Sequence, residues 1–292
     1  MNYRLFDESE IKSLWFPRKV TGKFENGQVA IIGGSMLFHG APILALRAAS
    51  RLVDMVYFSV PKEVGEVVEA VKSSLCAFIF VPWSDIDEYV VKSDAALIGP
   101  GMLRFHSEKG IDHNGVCDHA GRETRELTER LLTRHKSQRW VVDGGSLQVI
   151  EPRVLPPNCV VTPNEKEFNM LFGVDLRFKT LDSRIECVCE QAKKYGVVVA
   201  LKGIETIISD GSEVIVVNGG SPGLSKGGTG DLVAGLTAGF LAKNPPVLAA
   251  AAANFLVKRT GEELEEERGV MYNADDVAEK VPEVYGKLLE SE

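Results

Sequence analysis

The chain has 292 residues, of which 45% are hydrophobic and 25% are charged, and its formal net charge is -8. These proportions are typical of a folded globular protein and exclude a disordered or fibrous class, and the length fits one large α/β domain. The negative charge argues against nucleic acid as the main partner, because binding to phosphates along a nucleic acid requires an excess of Lys and Arg.

Short apolar runs alternate with helical patterns along the first two thirds of the chain. The first run, residues 29–32, ends in Gly33 and Gly34, which is typical of a buried parallel strand. The helical pattern behind it has Pro42 near its start, where a missing N–H is harmless. Further apolar runs follow in the same way, in DMVYFSVP, CAFIFVP, DAALIGPG, RWVVDGG and NCVVTPN. This alternation predicts a mostly parallel sheet with helices on both faces.

The last third of the chain has a different pattern. Three apolar runs, VVVALKG, TIISDG and EVIVVNGG, are separated only by tight turns, which predicts antiparallel strands at one end of the sheet. Three helical stretches follow, namely GDLVAGLTAGFLAK, PPVLAAAAANFLVKRTGEELEEE and NADDVAEKVPEVYGKLLE. The predicted fold class is therefore α/β, a three-layer α/β/α domain.

The cysteines and the amino terminus predict an intracellular protein. Five scattered cysteines do not suggest a disulfide framework. His106, His113, Cys117 and His119 could in principle bind zinc, but their spacing matches no common zinc module, so we interpret them as solvated or substrate-facing. No apolar run approaches the roughly 20 residues that cross a bilayer, and no signal peptide is evident. We expect a cytoplasmic protein with no membrane partner.

Polar and glycine-rich turns follow the apolar runs throughout the sequence. Ligands of open α/β sheets bind beyond the carboxyl ends of the strands, so these turns are expected to meet at one edge of the sheet. Each turn alone is a weak signal, because glycine after a strand often serves only turn geometry. The six turns are GGSMLFHGAP, IGPGM, VDGGSL, VTPNEKEF, LKGIET and GLSKGGTGD.

The stretch SPGLSKGGTGDLVAG, residues 221–235, places four glycines before Asp231. It fits neither the P-loop spacing nor the dinucleotide G-x-G-x-x-G pattern. Glycines allow successive backbone N–H groups to converge, and a helix that begins near Asp231 adds the positive end of its dipole. The stretch therefore predicts an anion site suited to a phosphoryl group. The alternative is that Asp231 only caps the helix.

GLSKGGTGDLVAGLTAGFLAK resembles the signature of the ribokinase-like superfamily and, within it, the ADP/ATP-dependent NAD(P)H-hydrate dehydratases. The other motifs occur in that family's order, from VAIIGGS through ALIGPGM, WVVDGGSL and VVTPNEKEF to VALKGIETIISDG. The resemblance implies dehydration of the S epimer of hydrated NADH or NADPH at the expense of ADP, or of ATP as in eukaryotic members. It implies one ribokinase-like domain over residues 1–292, with residues 1–26 as an extension and no epimerase domain.

The resemblance also implies roles for individual residues. Asp231 would act as general base and contact the hydrate, while Gly228 and Gly230 would hold the transferring phosphoryl group. The implied adenine-nucleotide residues are Lys202, Gly203, Ile204, Glu205, Thr206 and Gly230. The implied hydrate-binding residues are Ala41, Gly101, Asn164 and Asp231, and Glu167 is implied near Mg²⁺. The partners are therefore hydrated NADH or NADPH and an adenine nucleotide, and we expect a homo-oligomer.

Several alternatives stay open from the sequence. Gly145 in VVDGGSL stands where the family more often has a second acid, which puts substrate choice or rate in question. Glu167 could instead be a carboxylate on a helix surface. The same Asp231 and glycines would also suit a kinase for a small alcohol, such as a sugar, a hydroxymethylpyrimidine or a thiazole. A catalytically silent nucleotide sensor is the third alternative.

Overall fold

A computed structural model of the chain describes residues 2–17, 22–105 and 119–290. The strands in these residues are Arg4–Leu5 (β1), Gln28–Ile32 (β2), Met55–Ser59 (β3), Ile79–Phe80 (β4), Ala95–Ile98 (β5), Trp140–Val142 (β6), Val160–Val161 (β7), Val198–Leu201 (β8), Thr206–Ser209 (β9) and Val214–Val217 (β10). They form one sheet in the order β1-β10-β9-β8-β7-β6-β5-β2-β3-β4.

Helices cover both faces of the sheet. They are Gly40–Ala49 (α1), Gly65–Ser74 (α2), Ile86–Lys92 (α3), His119–Arg134 (α4), Gly144–Leu147 (α5), Glu165–Phe172 (α6), Leu181–Tyr195 (α7), Thr229–Leu241 (α8), Pro246–Arg268 (α9) and Ala274–Glu290 (α10). Val29 and Ile31 of β2 pack with α1, α8, α9 and α10, whereas Ala30 and Ile32 pack into the core on the side of α3–α7. Side chains alternate along a strand, so each face has its own core. The predicted three-layer α/β/α fold is confirmed.

The antiparallel end of the sheet is built around β9. This strand runs antiparallel to both β8 and β10, whereas β8 is still parallel to β7. The prediction of antiparallel strands at this end is confirmed, and the reversed direction belongs to β9 alone. As a result the turn after β8 and the end of β10 lie at the same edge as the carboxyl ends of the parallel strands.

The amino-terminal segment is part of the domain. β1 pairs in parallel with β10, Arg4 with Ile215 and Leu5 with Val216. The 3-10 helix Glu8–Ser13 that follows buries Ile11 completely. The sequence pattern predicts no element here, because two strand residues are too few to show a period. In the described part of the chain, no helix has the length and apolarity to span a membrane.

Helix α8 packs against α1 through a glycine. A methyl group on Gly235 would overlap the backbone oxygen of Ala45, so the two helices approach closely here. Asp231 lies one turn before Gly235 in α8, and Ala41 lies one turn before Ala45 in α1. This contact therefore sets the distance between two predicted site residues.

Substitution of Gly235 by alanine tests this contact. The added methyl group must push the backbones of α1 and α8 apart, and we expect a loss of about 1–3 kcal/mol in the free energy of unfolding, measured with urea. Gly286 in α10 is the matched control, because a methyl group there meets no neighbouring atom within 4 Å. Gly286→Ala should stabilise by about 0.5–1 kcal/mol. Equal effects of the two variants would contradict the close packing.

Candidate active site

The six predicted turns meet at one edge of the sheet. They follow β2, β5, β6, β7, β8 and β10, whose carboxyl ends all point to this edge. Hydrogen bonds connect neighbouring turns: Gly34 N donates to Pro100 O at 2.8 Å, and Lys202 N donates to Pro163 O at 2.8 Å. The edge is therefore a single surface built from segments far apart in sequence.

A buried ion cluster lies at the centre of this edge. The Nζ atom of Lys202 is 2.7 Å from Oδ1 of Asp143 and 3.9 Å from Oε2 of Glu167. Asp143 is only 2% exposed, and its Oδ1 also accepts a hydrogen bond from Oγ1 of Thr162 at 2.7 Å. Burial by itself lowers the pKa of Lys202, but the carboxylates of Asp143 and Glu167 outweigh it and raise that pKa above its usual value.

Asp231 lies beside this cluster in the first turn of α8. The residue that caps α8 is Gly228, and Asp231 is the third residue of the helix. The interpretation of Asp231 as the helix cap is therefore wrong. Burial raises the pKa of Asp231 to about 7, and the nearby carboxylate of Asp143 adds to the rise while Lys202 opposes it. A carboxyl group with this pKa can exchange a proton near neutral pH.

The glycines before Asp231 bring the start of α8 close to Lys202. A methyl group on Gly230 would lie 3.2 Å from Nζ of Lys202, and one on Gly227 would enter open space. Gly228 has a φ of 96°, a backbone conformation that residues with a side chain rarely adopt. The amino end of a helix with a lysine beside it attracts anions. The predicted phosphoryl site and the predicted base thus lie together.

Five of the six predicted nucleotide residues, 202–206, lie between the end of β8 and the start of β9, and the sixth, Gly230, is in the first turn of α8. Lys202 faces the ion cluster, and Ile204 is 84% exposed on the outer side of the turn. Gly203 and Glu205 are exposed as well, whereas Thr206 is buried as the first residue of β9. Oγ1 of Thr206 donates to Gly203 O at 3.3 Å and so fixes the turn.

Two predicted hydrate-binding residues are neighbours in space. The turn after β5 brings Gly101 against α1, where a methyl group on Gly101 would lie 3.2 Å from Cβ of Ala41 and would overlap Phe38 O. Gly101 also has a φ of 71°. A side chain at this position would be strained and obstructed, so glycine is required.

Asn164 and Glu167 are joined at the start of α6. Oδ1 of Asn164 accepts from Glu167 N at 2.9 Å, and Oε2 of Glu167 accepts from Asn164 N at 2.8 Å. Nε2 of Gln148 donates to the other oxygen of Glu167 at 3.2 Å. Glu167 is only 7% exposed, so its interpretation as a surface carboxylate is wrong. Burial raises the pKa of Glu167, which the ammonium of Lys202 counteracts.

The charges at the edge fit a divalent cation. The carboxylates of Asp143, Glu167 and Asp231 all act on one ammonium, that of Lys202. Ionised acids in excess over the lysine favour an added cation. Both oxygens of Glu167 already accept hydrogen bonds from the protein, so this residue can contribute mainly through its charge. The assignment of Mg²⁺ to Glu167 stays a prediction.

Packing explains why position 145 is a glycine. A side chain there would overlap the backbone oxygen of Met102, and Gly145 N donates to Gly99 O at 3.0 Å. With this backbone arrangement an acid cannot occupy position 145.

Thr162 and Gln148, which contact Asp143 and Glu167, are site residues that the sequence analysis missed. Thr162 could have been found, because it lies in the VTPN turn.

The predicted zinc candidates lie mostly outside the described part of the chain. His106, His113 and Cys117 fall outside the described residues, and the side chain of His119 is 84% exposed and 3.6 Å from Glu123. In the described ranges, Glu263, Glu267 and Glu283 are close enough to share an ion. Lys280 and Lys287 already bridge these three acids at 2.6–2.8 Å, so the group is explained as a surface ion network.

A cleft of about 700 Å³ lies beside the turn after β5. Gly34, Ser35 and Met102, next to the Gly101 turn, contribute to its lining. Trp83 and Lys62, which follow β4 and β3, and residues of α4 also line it. In the sheet order, these strands and the nucleotide turn after β8 lie on opposite sides of β5. The volume is in the range of small-molecule sites.

The order of the sheet and the helices on both its faces define a ribokinase-like fold. A ribokinase-like superfamily protein of Enterococcus faecalis has this fold with a TM-score of 0.81, at 23% identity and with 99% of this chain and 97% of that chain covered. The family model described as NAD(P)H-hydrate dehydratase matches residues 29–283. The chain belongs to this family, which confirms the resemblance.

Two further similarities agree with this family. An ADP-dependent (S)-NAD(P)H-hydrate dehydratase of Cenarchaeum symbiosum is 31% identical over 289 residues, which cover 97% of each chain. The ADP/ATP-dependent NAD(P)H-hydrate dehydratase of Bacillus subtilis, co-crystallised with ATP/Mg²⁺, has a TM-score of 0.82 at 20% identity, with 99% of each chain covered. At that identity the crystal structure supports the fold alone.

Replacement of Asp231 by asparagine should reveal its raised pKa in the stability of the protein. A folded-state pKa of about 7 lies above the unfolded value, so the folded state loses stability as the pH rises from about 4 to 7. Asp231→Asn removes this loss. We expect its free energy of unfolding to exceed the parent's by about 1–3 kcal/mol at pH 8 and to match it near pH 4.5.

The control for this prediction is Asp182→Asn. Asp182 is an exposed acid in the first turn of α7. Urea unfolding of both variants and the parent at the two pH values gives the comparison. An equal pH dependence of the free energy of unfolding in all three proteins would show that folding does not raise the pKa of Asp231.

Proposed function

We propose that this protein dehydrates the S epimer of hydrated NADH or NADPH, with ADP as the phosphoryl donor, and that NAD(P)H, AMP and phosphate are the products. The observation that carries the proposal is the position of Asp231, whose carboxyl group has a pKa of about 7 at the start of a helix preceded by glycines. A base and a phosphoryl site at one place suit transfer of phosphate to a hydroxyl group.

In the first step Asp231 takes the proton from the hydroxyl group of the hydrated ring. The hydroxyl oxygen bonds to the terminal phosphorus of ADP, the bond from that phosphorus to the bridging oxygen breaks, and AMP leaves. The backbone amides of residues 228–230 and the amino end of α8 stabilise the charge on the phosphoryl oxygens. Mg²⁺ bound with the nucleotide would supply further charge neutralisation.

In the second step the C–O bond of the phosphate ester breaks and phosphate leaves. The lone pair of the ring nitrogen expels phosphate more readily than it would expel hydroxide, and loss of a ring proton restores the double bond of NAD(P)H. Phosphate keeps the original hydroxyl oxygen, so the sum of both steps is hydrate plus ADP giving NAD(P)H, AMP and phosphate. The balance requires no further reactant.

The remaining predicted residues are assigned to the two substrates. The turn of Lys202, Gly203, Ile204, Glu205 and Thr206 would contact the adenine nucleotide, and Lys202 would also hold Asp143 and Glu167 in place. Ala41 and Gly101 would shape the hydrate site, and Asn164 would border it. The cytoplasmic location, the homo-oligomer and the single domain over residues 1–292 stay predictions.

Incubation of the protein with hydrated NADH, Mg²⁺ and ADP tests the proposal. We expect the absorbance band of the reduced nicotinamide to return, and AMP to form in equal amount. Asp231→Asn should reduce turnover by at least about a hundredfold, because general bases contribute factors of this size. Its affinity for ADP should stay close to that of the parent, since the glycines and the backbone amides are unchanged.

The outcomes separate the alternatives. A stable phosphorylated product would indicate a kinase that stops after the first step. Nucleotide binding without turnover in either protein would indicate a sensor. Unchanged turnover in Asp231→Asn would show that another group is the base.

We propose that the cleft beside the Gly101 turn receives the part of the hydrate beyond its ring. With the ring near Asp231, the ribose, diphosphate and adenosine must extend away from the ADP site, and the cleft and the nucleotide turn lie on opposite sides of β5. Trp83 presents an aromatic surface there, and Lys62 contributes a cation at the far wall. A flat base stacks on such aromatic groups.

Trp83→Ala should therefore weaken binding of the whole dinucleotide only. We expect KM for hydrated NADH to rise about fivefold to tenfold, since stacking on an aromatic contributes about 1 kcal/mol or more. Hydrated reduced nicotinamide mononucleotide, which lacks the adenosine half, should react equally well with the variant and the parent. An equal rise of KM for both hydrates would contradict this use of the cleft.

A further inference from the structure

Lys258 is a buried lysine in α9 that the proposed chemistry does not use. It is 8% exposed, and its Nζ atom donates to Val217 O at 2.8 Å and also to Ile204 O. Ile204 lies in the nucleotide turn between β8 and β9. Val217 is the last residue of β10 and precedes the glycine-rich loop, which we define as residues 218–228. One amino group therefore connects two segments of the proposed nucleotide site.

Glu262, one turn further along α9, accepts a hydrogen bond from a backbone amide of the same loop. Its Oε1 accepts a hydrogen bond from Gly220 N at 2.7 Å. Gly219 and Gly220 both have positive φ, and a methyl group on Gly219 would lie 2.5 Å from that carboxylate oxygen. The helix thus presents a donor to two carbonyls and an acceptor to one amide.

These contacts fix the direction of two peptide planes. In a trans peptide the C=O and the next N–H point in opposite directions. Because Ile204 O and Val217 O face Lys258, the N–H of Glu205 and the N–H after Val217 point away from Nζ of Lys258. Lys258 thereby fixes the direction of both amides without contacting them.

We propose that Lys258, supported by Glu262, is a positioning residue for the adenine nucleotide, since it holds the Ile204 turn and the glycine-rich loop in one relative arrangement. The inference rests on the proposed assignment of these segments to ADP. Lys258 itself does not touch the reacting atoms.

The proposed role does not depend on whether Lys258 is charged. Burial lowers the pKa of Lys258 to about 8, although Glu205 and Glu262 oppose the change. A buried lysine costs free energy that an apolar side chain would not. The neutral amine still has two N–H donors for its two carbonyls, so the arrangement does not depend on the charge. What the site requires is the pair of hydrogen bonds.

Lys258→Met removes these hydrogen bonds and keeps most of the side-chain volume. We expect the dissociation constant of ADP, measured by calorimetry without hydrate, to rise about tenfold. At saturating ADP, KM for the hydrate should stay within about twofold of the parent's value. The matched control is Thr260→Val, a buried position in the same helix whose hydroxyl donates to Leu256 O in its own helix. This control should leave ADP binding unchanged.

Two further variants make the result independent of folding defects. Lys258→Cys should bind ADP as weakly as Lys258→Met, and alkylation with bromoethylamine, which rebuilds a lysine-like amine, should restore affinity. The parent treated in the same way accounts for modification of other cysteines, such as the exposed Cys76. Should Lys258→Met fail to fold, Glu262→Ala, at a partly exposed position, should still raise the dissociation constant about threefold.

The possible failures are distinguishable. Parent-like ADP affinity in Lys258→Met, or equal losses in Lys258→Met and Thr260→Val, would overturn the positioning role. If the parent binds neither ADP nor ATP, the nucleotide assignment and the inference both fail. If ADP affinity falls as expected but no protein regenerates NADH, the dehydratase proposal fails and the positioning role stands.

Discussion

The ammonium of Lys202 lies between carboxylates from separate parts of the chain, and the arrangement of the site depends on it. It is hydrogen-bonded to Asp143, lies 3.9 Å from Glu167 and acts electrostatically on Asp231. Without this cation the three carboxylates would repel one another in a largely buried site. With it, Asp143 is paired with Lys202, while burial and the carboxylate of Asp143 raise the pKa of Asp231 to about 7. The same charge distribution therefore stabilises the edge and sets the pKa of Asp231.

Close approaches of the backbone bring these charges together. Gly101, Gly145 and Gly235 each lie against a backbone oxygen of another segment, so that a side chain would force the segments apart. These contacts join the turn after β5 to α1, the turn after β6 to that after β5, and α8 to α1. The sheet supplies the common edge, and the glycines determine how closely its turns and helices pack.

Much of the fold could be predicted from local patterns. Apolar runs followed by helical periods indicated the parallel sheet and its layers, because the period of burial is a local property of the chain. The joined pair Asn164 and Glu167 could also have been predicted, since an N-cap residue followed three positions later by Glu is a capping-box pattern. β1 could not, because its two residues become a strand only by pairing with β10.

The sequence by itself determined the glycine-rich turn, the acid that follows it and the edge at which both would lie, because turn residues and strand ends are encoded locally. Tertiary structure decided the chemistry of these groups. Lys202 and Asp143 are 59 positions apart, and Lys258 and Ile204 are 54 apart. Burial and the distance between charges set a pKa, and both depend on which distant segments pack together. Position 145 is also decided in this way, since only the packed turn after β5 shows that a side chain would not fit there.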